Sequence, residues 1–145
     1  MDNFTTWAQR WNVPPAALAE LYASVLPASY NHGATTSEAR VQAAVRVRAA
    51  ELGWRLWRNN SGVLSGEDGR PVRFGLGNDS KQINNIFKSA DLIGVKPSGQ
   101  FVALECKAAG WTYHGTERER AQAAFLSVVV MHGGDGRFIT DAGQL

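Results

Sequence analysis

The chain has 145 residues, 44% of them hydrophobic, and a formal net charge of +2. That length suits one domain with one core, and that apolar content separates the chain from disordered sequences. No apolar run approaches the roughly 18 to 20 residues that cross a bilayer, and the start MDNFTTWAQRW lacks the basic-then-apolar order of a secretion signal. A cytoplasmic protein with no membrane partner is therefore expected. The single cysteine, Cys106, has no internal partner for a disulfide, which agrees with a reducing compartment.

Charge is unevenly spread. Arg40, Arg46, Arg48, Arg55, Arg58, Arg70 and Arg73 crowd one part of the chain with few acids beside them. Such a bias suits a polyanionic partner, and it equally suits a solvated basic surface. Neither internal repeats nor low-complexity tracts are evident.

In chain order, residues 3 to 12 read as a short helix carrying Trp7 and Trp11. VPPAALAELYASVL reads as a second, with Pro14 and Pro15 at its start, where a missing N–H costs least. These two make an N-terminal helical extension over residues 1–36, either a cap on the core or a nucleic-acid-binding helix pair. The next helix starts at Ser37, a good N-cap, and stops at Gly53. Its apolar stripe is Val41, Val45, Ala49 and Leu52. At about 100° per residue, Glu38 falls on the line of Val45, Ala49 and Leu52. An acid in a first turn ordinarily serves the helix dipole in water. This one is expected to point towards the core, where it needs a cationic, hydrogen-bonded or metal partner.

WRLWRN alternates like a strand, NNSGVLSGEDGRP reads as a loop, and VRFGL as a second strand. GNDSKQINNIFKSA is polar and resists assignment. A hairpin follows, ADLIGV and FVALECK, separated by KPSGQ with its turn residues Pro97 and Gly99. TERERAQAAFLSVVVMHGG is a helix opened by a capping box, Thr116 with Glu119, and closed by Gly133. RFIT is a last strand. Helix, three or four strands, helix, strand makes an α/β domain with a mixed sheet over residues 37–145.

The hairpin carries the chemistry. Pairing Val95 with Phe101 sets Asp91 opposite Glu105, with Cβ atoms roughly 4.5 to 5.5 Å apart. Lys107 shares the face of Glu105. Like charges directly opposite destabilise a sheet, and a divalent cation between them reverses the sign. Two hard oxygen ligands with room for waters and a phosphate suit Mg²⁺. A salt-bridged group on an exposed sheet face fits the same spacing, and a register one residue shorter would pair Asp91 with Cys106 instead.

Asp91 followed by Glu105-Cys106-Lys107 on the next strand resembles the D…(D/E)XK signature of the PD-(D/E)XK nuclease superfamily. With Glu38 upstream and Gln122 in RERAQAAFL, the ordered set RNNSG, VRFGLGN, SADLIGV, FVALECK, GW and AQAAF…GG resembles phage-type VRR-NUC proteins, over roughly Ser37 to Thr140. The resemblance implies a restriction-endonuclease-like core, a mixed sheet flanked by helices. It also implies a Mg²⁺- or Mn²⁺-dependent endonuclease acting on DNA, similar to homodimeric Holliday-junction resolvases and, if phage-encoded, working in the host cytoplasm. By motif, Asp91 and Glu105 would hold the metal with the carbonyl of Cys106. Glu38 would bind it directly or through water, Lys107 would orient the attacking water, and Gln122 would hold the lysine or that water. Ala90 stands where the family often has Pro or Ser. No organic cofactor is implied. Non-catalytic nucleic-acid binding, an exonuclease and a restriction-type nuclease are the alternatives.

Arg55, Arg58, Asn59, Asn60, Arg73, Asn78, Lys81 and Lys88 are candidate contacts to a nucleic-acid backbone, with turn chemistry the competing reading for RNNSG and VRFGLGN. His32, His114 and His132 fit no Cys/His metal spacing. Cys106 should face away from its two motif neighbours as a buried thiol. Trp111 either covers the core or meets a partner chain.

Overall fold

The computed structural model describes residues 8–14, 17 and 37–145. Of the expected second helix only Val13, Pro14 and Ala17 are described, Ala17 as helical; its other residues and His32 lie outside the described residues. Of the first, Ala8, Gln9 and Arg10 are helical. From Ser37 the order is α1 (Ser37–Glu51), β1 (Arg55–Arg58), β2 (Gly62–Ser65), β3 (Pro71–Phe74), α2 (Lys81–Ile86), β4 (Leu92–Val95), β5 (Phe101–Cys106), α3 (Glu117–Met131) and β6 (Asp135–Ile139). A last 3₁₀ turn covers Ala142–Gln144. The molecule is mixed α/β, a four-stranded sheet flanked by helices.

The sheet runs β1-β4-β5-β6. β1, β4 and β5 are antiparallel neighbours, and β6 joins β5 in parallel through the α3 crossover that a parallel pair requires. The register is the expected one: Val95 faces Phe101 and Leu92 faces Leu104. A short turn sets the pairing of a hairpin, which is why the local chain could specify it.

Alternation along β5 divides the core in two. Val102, Leu104 and Cys106 pack with Leu92 and Ile139 against Val41 and Val45 of α1. Ala103 packs on the other face with Ala90 and with Phe125, Leu126 and Val129 of α3. Leu92, Leu104 and Ile139 are fully buried, each worth about 1.5–3 kcal/mol of transfer free energy. Close approach seats α3 on the sheet. A Cβ on Gly136 of β6 would come within 2.6 Å of the Leu126 carbonyl oxygen, so any larger residue there lifts the helix. The helix ends fall where their signals stand: Gly53 takes φ 80° after α1, and Thr116 and Glu119 form the capping box of α3.

One expectation is corrected and one unassigned stretch takes a form. NNSGVLSGEDGRP is not all loop: Gly62–Ser65 is a strand that pairs with β3 as a separate two-stranded ribbon. Its side chains stay exposed, Leu64 and Val72 among them, so no buried face announced it. The unassigned polar stretch forms α2, capped by Ser80, whose hydroxyl accepts from the Ile83 N–H at 3.1 Å. On α3, Ala121, Gln122, Phe125, Leu126 and Val129 are buried, while Val128 is exposed.

Candidate functional site

One end of the sheet gathers the motif residues. The β4–β5 ladder closes at Leu92 and Leu104, which sets Asp91 opposite Glu105 one step further on. There the side chain of Asp91 takes over from the ladder: its Oδ2 accepts the Cys106 N–H at 3.0 Å. The Asp91 carbonyl accepts the Asn59 N–H at 2.8 Å, which ties the end of β1 to the same point.

Glu105 is 2% exposed. It faces α3, and Gln122, 1% exposed, meets it there. Gln122 Nε2 donates to Glu105 Oε1 at 2.5 Å, and Gln122 Oε1 accepts from Lys107 Nζ at 3.1 Å. Lys107 Nζ also stands 3.6 Å from Glu105 Oε1. The amide therefore uses a donor on the acid and an acceptor on the ammonium, and the three side chains close a triangle. Two hydrogen-bonded partners fix the rotamer of a residue that sits wholly inside the protein.

This neutral bridge leaves Glu105 poorly compensated. Burial first, then the negative charge of Asp91, push its carboxyl up to about 8, against the pull of Lys107, Arg118 and the Asp91 N–H. A carboxylate so raised marks a functional-site candidate, because a structural ion pair would hold it low. Cys106 points to the opposite face and is buried. Burial, Asp91, Glu105 and Glu38 all push its thiol well above the usual range, so it is inert as a nucleophile.

Glu38 departs from expectation. It is exposed rather than turned to the core, because the buried contacts of α1 begin one turn later at Val41. Its charge still reaches Cys106, so it lies within electrostatic range of this end of the sheet. Among the described residues, no three His, Cys, Asp or Glu side chains are grouped closely enough to hold a metal ion. The structure brings together Asp91, Glu105, Lys107 and Gln122, and leaves Glu38 outside the cluster.

The expected nucleic-acid contacts divide. Asn78 is 4% exposed, and its amide donates to the carbonyls of Gly62 and Phe74, both at 2.9 Å, while its oxygen accepts from Arg73 at 2.8 Å. It clamps the base of the β2–β3 ribbon and is no surface contact. Asn59 likewise donates to Ser89 Oγ and the Ala90 carbonyl. Arg58, Asn60 and Lys81 are exposed, whereas Arg55 and Lys88 are half-buried. Arg58 ends β1 opposite Leu92, on the Asp91 side of the sheet.

Two residues at the site, Arg118 and Phe138, carried no recognised signal in the sequence, and a third, Trp111, only a hint. Arg118, in the first turn of α3, is close enough for its charge to act on Glu105. Lys107 Nζ lies 5.6 Å from the ring centre of Trp111 and 5.9 Å from that of Phe138. Aromatic faces attract an ammonium and exclude water from it. The dipeptide Gly110-Trp111 hinted at Trp111; Phe138 and Arg118 become neighbours of the motif only through the crossover.

No family model matches the chain, and no curated protein or solved structure matches it.

Proposed function

We propose that the protein is a divalent-metal-dependent nuclease with a restriction-endonuclease-like core, of the kind the D…EXK pattern suggests. The observation that carries this reading is the buried, cation-starved Glu105 beside Asp91, with Lys107 and Gln122 locked around it. Two carboxylates suffice for Mg²⁺, which keeps several waters and borrows further ligands from substrate phosphates. The donor set fits: hard oxygens of like charge, lacking a full cationic partner.

Asp91 and Glu105 would hold the ion, and a bound divalent cation supplies a polarised phosphate and a water of lowered pKa. The chain's own residues do the rest. Gln122 orients both Glu105 and Lys107 through the two ends of its amide. Lys107 places a positive charge beside the carboxylates, where it can orient a water and meet negative charge developing on a phosphate. Trp111 and Phe138 keep that ammonium in place. Arg58 and Arg118 extend the positive potential on either side, a contribution to affinity that falls steeply with salt.

The test is purified protein on supercoiled, linear and four-way-junction DNA with Mg²⁺, Mn²⁺ or EDTA. Metal-dependent cutting that Asp91→Asn and Glu105→Ala abolish supports the reading; no cutting of any substrate ends it. Symmetric paired nicks on a labelled junction would extend it to a homodimer acting on branched DNA.

A second reading, nucleic-acid binding without catalysis, draws on Glu38, which stands exposed rather than among the carboxylates. It requires DNA binding that neither metal nor Asp91→Asn alters.

A further inference from the structure

The segment AAGWTYHGT, residues 108–116, runs from the end of β5 to the start of α3 beside the carboxylate pair. It is held tightly. Glu119, itself buried, accepts the indole N–H of Trp111 at 3.2 Å, the His114 N–H at 2.9 Å and the Thr116 N–H at 3.1 Å. Burial opposes its charge, but the N–H groups of Thr116, His114, Trp111 and Gly115 together keep the Glu119 carboxyl below its ordinary value. Arg120 adds a bond from its guanidinium to the Gly115 carbonyl at 2.6 Å.

Trp111 is thereby pinned across Phe138, ring centres 4.9 Å apart and tilted by 34°. Tyr113 meets Trp111 edge to face, at 6.3 Å and 83°. Yet Tyr113 remains 49% exposed, although Trp111 already covers Phe138. An aromatic ring propped by a second, itself locked by a buried carboxylate, is a rigid platform. Arg120 is bonded to the same segment through the Gly115 carbonyl. Lys107 lies against the other end of the same aromatic group, 5.6 Å from Trp111.

We propose that Tyr113, backed by Trp111, stacks an unpaired nucleobase next to the carboxylate pair, so that the protein prefers DNA with a single-stranded segment at the reacting phosphate. The placement of the phosphate rests on the nuclease reading; the stacking does not. Bases offer a π-face to an aromatic side chain only when they are out of the duplex, and such stacking tolerates any sequence. Cations beside the ring meet the phosphates that flank the base. Tyrosine supplies this contact area at little conformational cost, since the ring is already fixed.

The experiment is fluorescence anisotropy of a labelled 12-nucleotide oligo(dT) and of a labelled 12-base-pair blunt duplex, both in EDTA, with cleavage in Mg²⁺ measured separately. Tyr113→Ala is expected to weaken single-strand binding by roughly 5- to 100-fold. Tyr113→Phe should bind as the wild type, duplex binding should shift less than about twofold, and Trp57→Ala, an exposed aromatic on β1, should change nothing. Equal single-strand affinity for wild type and Tyr113→Ala overturns the proposal. So does an equal loss on both ligands, a change in sedimentation without a change in binding, or a wild type that binds no oligo(dT). Cleavage that persists alongside any of these leaves the nuclease reading standing. Stacking that holds without cleavage leaves the platform standing alone.

Discussion

The two ends of the sheet each draw an acid away from water, Glu105 fully and Asp135 in part, and they treat it in opposite ways. At one end Asp135, first residue of β6, takes two bonds from Arg137 at 2.9 and 2.7 Å and another contact from Lys96 at 2.8 Å. Partial burial works against its charge, but these cations hold the carboxyl below its ordinary value. Lys96 is itself seated over Trp54, 4.4 Å from the ring centre. At the other end Glu105 is more deeply buried, has a like charge opposite and one ammonium at 3.6 Å, and stands near 8. The first end is electrostatically complete. The second is built with a deficit of positive charge, and a deficit enclosed by hydrogen bonds is what a cation-dependent site would keep.

The sharpest way to break this contrast is to neutralise each acid. Glu105→Gln should lower metal-dependent cleavage by about 10²–10³-fold or more. In the metal-free protein at pH 8 the same change should raise the melting temperature, because the buried charge is gone. A variant that melts lower and still cuts would remove Glu105 from the site. Next in size, Gln122→Leu frees both Glu105 and Lys107 and should cost about 10- to 100-fold in cleavage or in Mn²⁺ affinity; unchanged kinetics would reduce Gln122 to a packing residue. Asp135→Asn should cost about 1–3 kcal/mol of stability in urea titration while cleavage is untouched.

Most diagnostic of sign is the pH dependence. The folded pKa of Glu105 lies above its ordinary 4.5, so its contribution to stability is full below 4.5 and is lost as pH rises to about 8. Asp135 runs the other way: its contribution is present above its ordinary 3.8 and is lost as pH falls through the lowered folded value. Metal-free stability measured from pH 4.5 to 8.5 should therefore decline, Glu105→Gln should flatten that decline, and Mn²⁺ should stabilise more at pH 8.5 than at 6.5. A profile insensitive to Glu105→Gln would mean that the acid is not held as described.

Much of this architecture was readable along the chain, for reasons that differ by element. The stop at Gly53 and the capping box of Thr116 and Glu119 are local, each complete within a few residues. The β4–β5 register followed from one short turn, and with it the opposition of Asp91 and Glu105. β2 escaped because a ribbon exposed on both sides has no alternation to read. Glu38 misled because a helical wheel gives direction but not depth: it stands exposed in the first turn, ahead of Val41, the first buried residue of α1.

The chain alone decided which side chains share the end of the hairpin, since pairing and alternation are set by neighbours in sequence. Only the packing of α3 across β5 decided what those side chains experience. That packing buries Glu105, inserts the Gln122 amide between acid and ammonium, and swings Phe138 and Trp111 over Lys107. Burial and dielectric are properties of the enclosure, and Gln122 and Phe138, which help to make it, lie 15 and more positions from Lys107 in the chain.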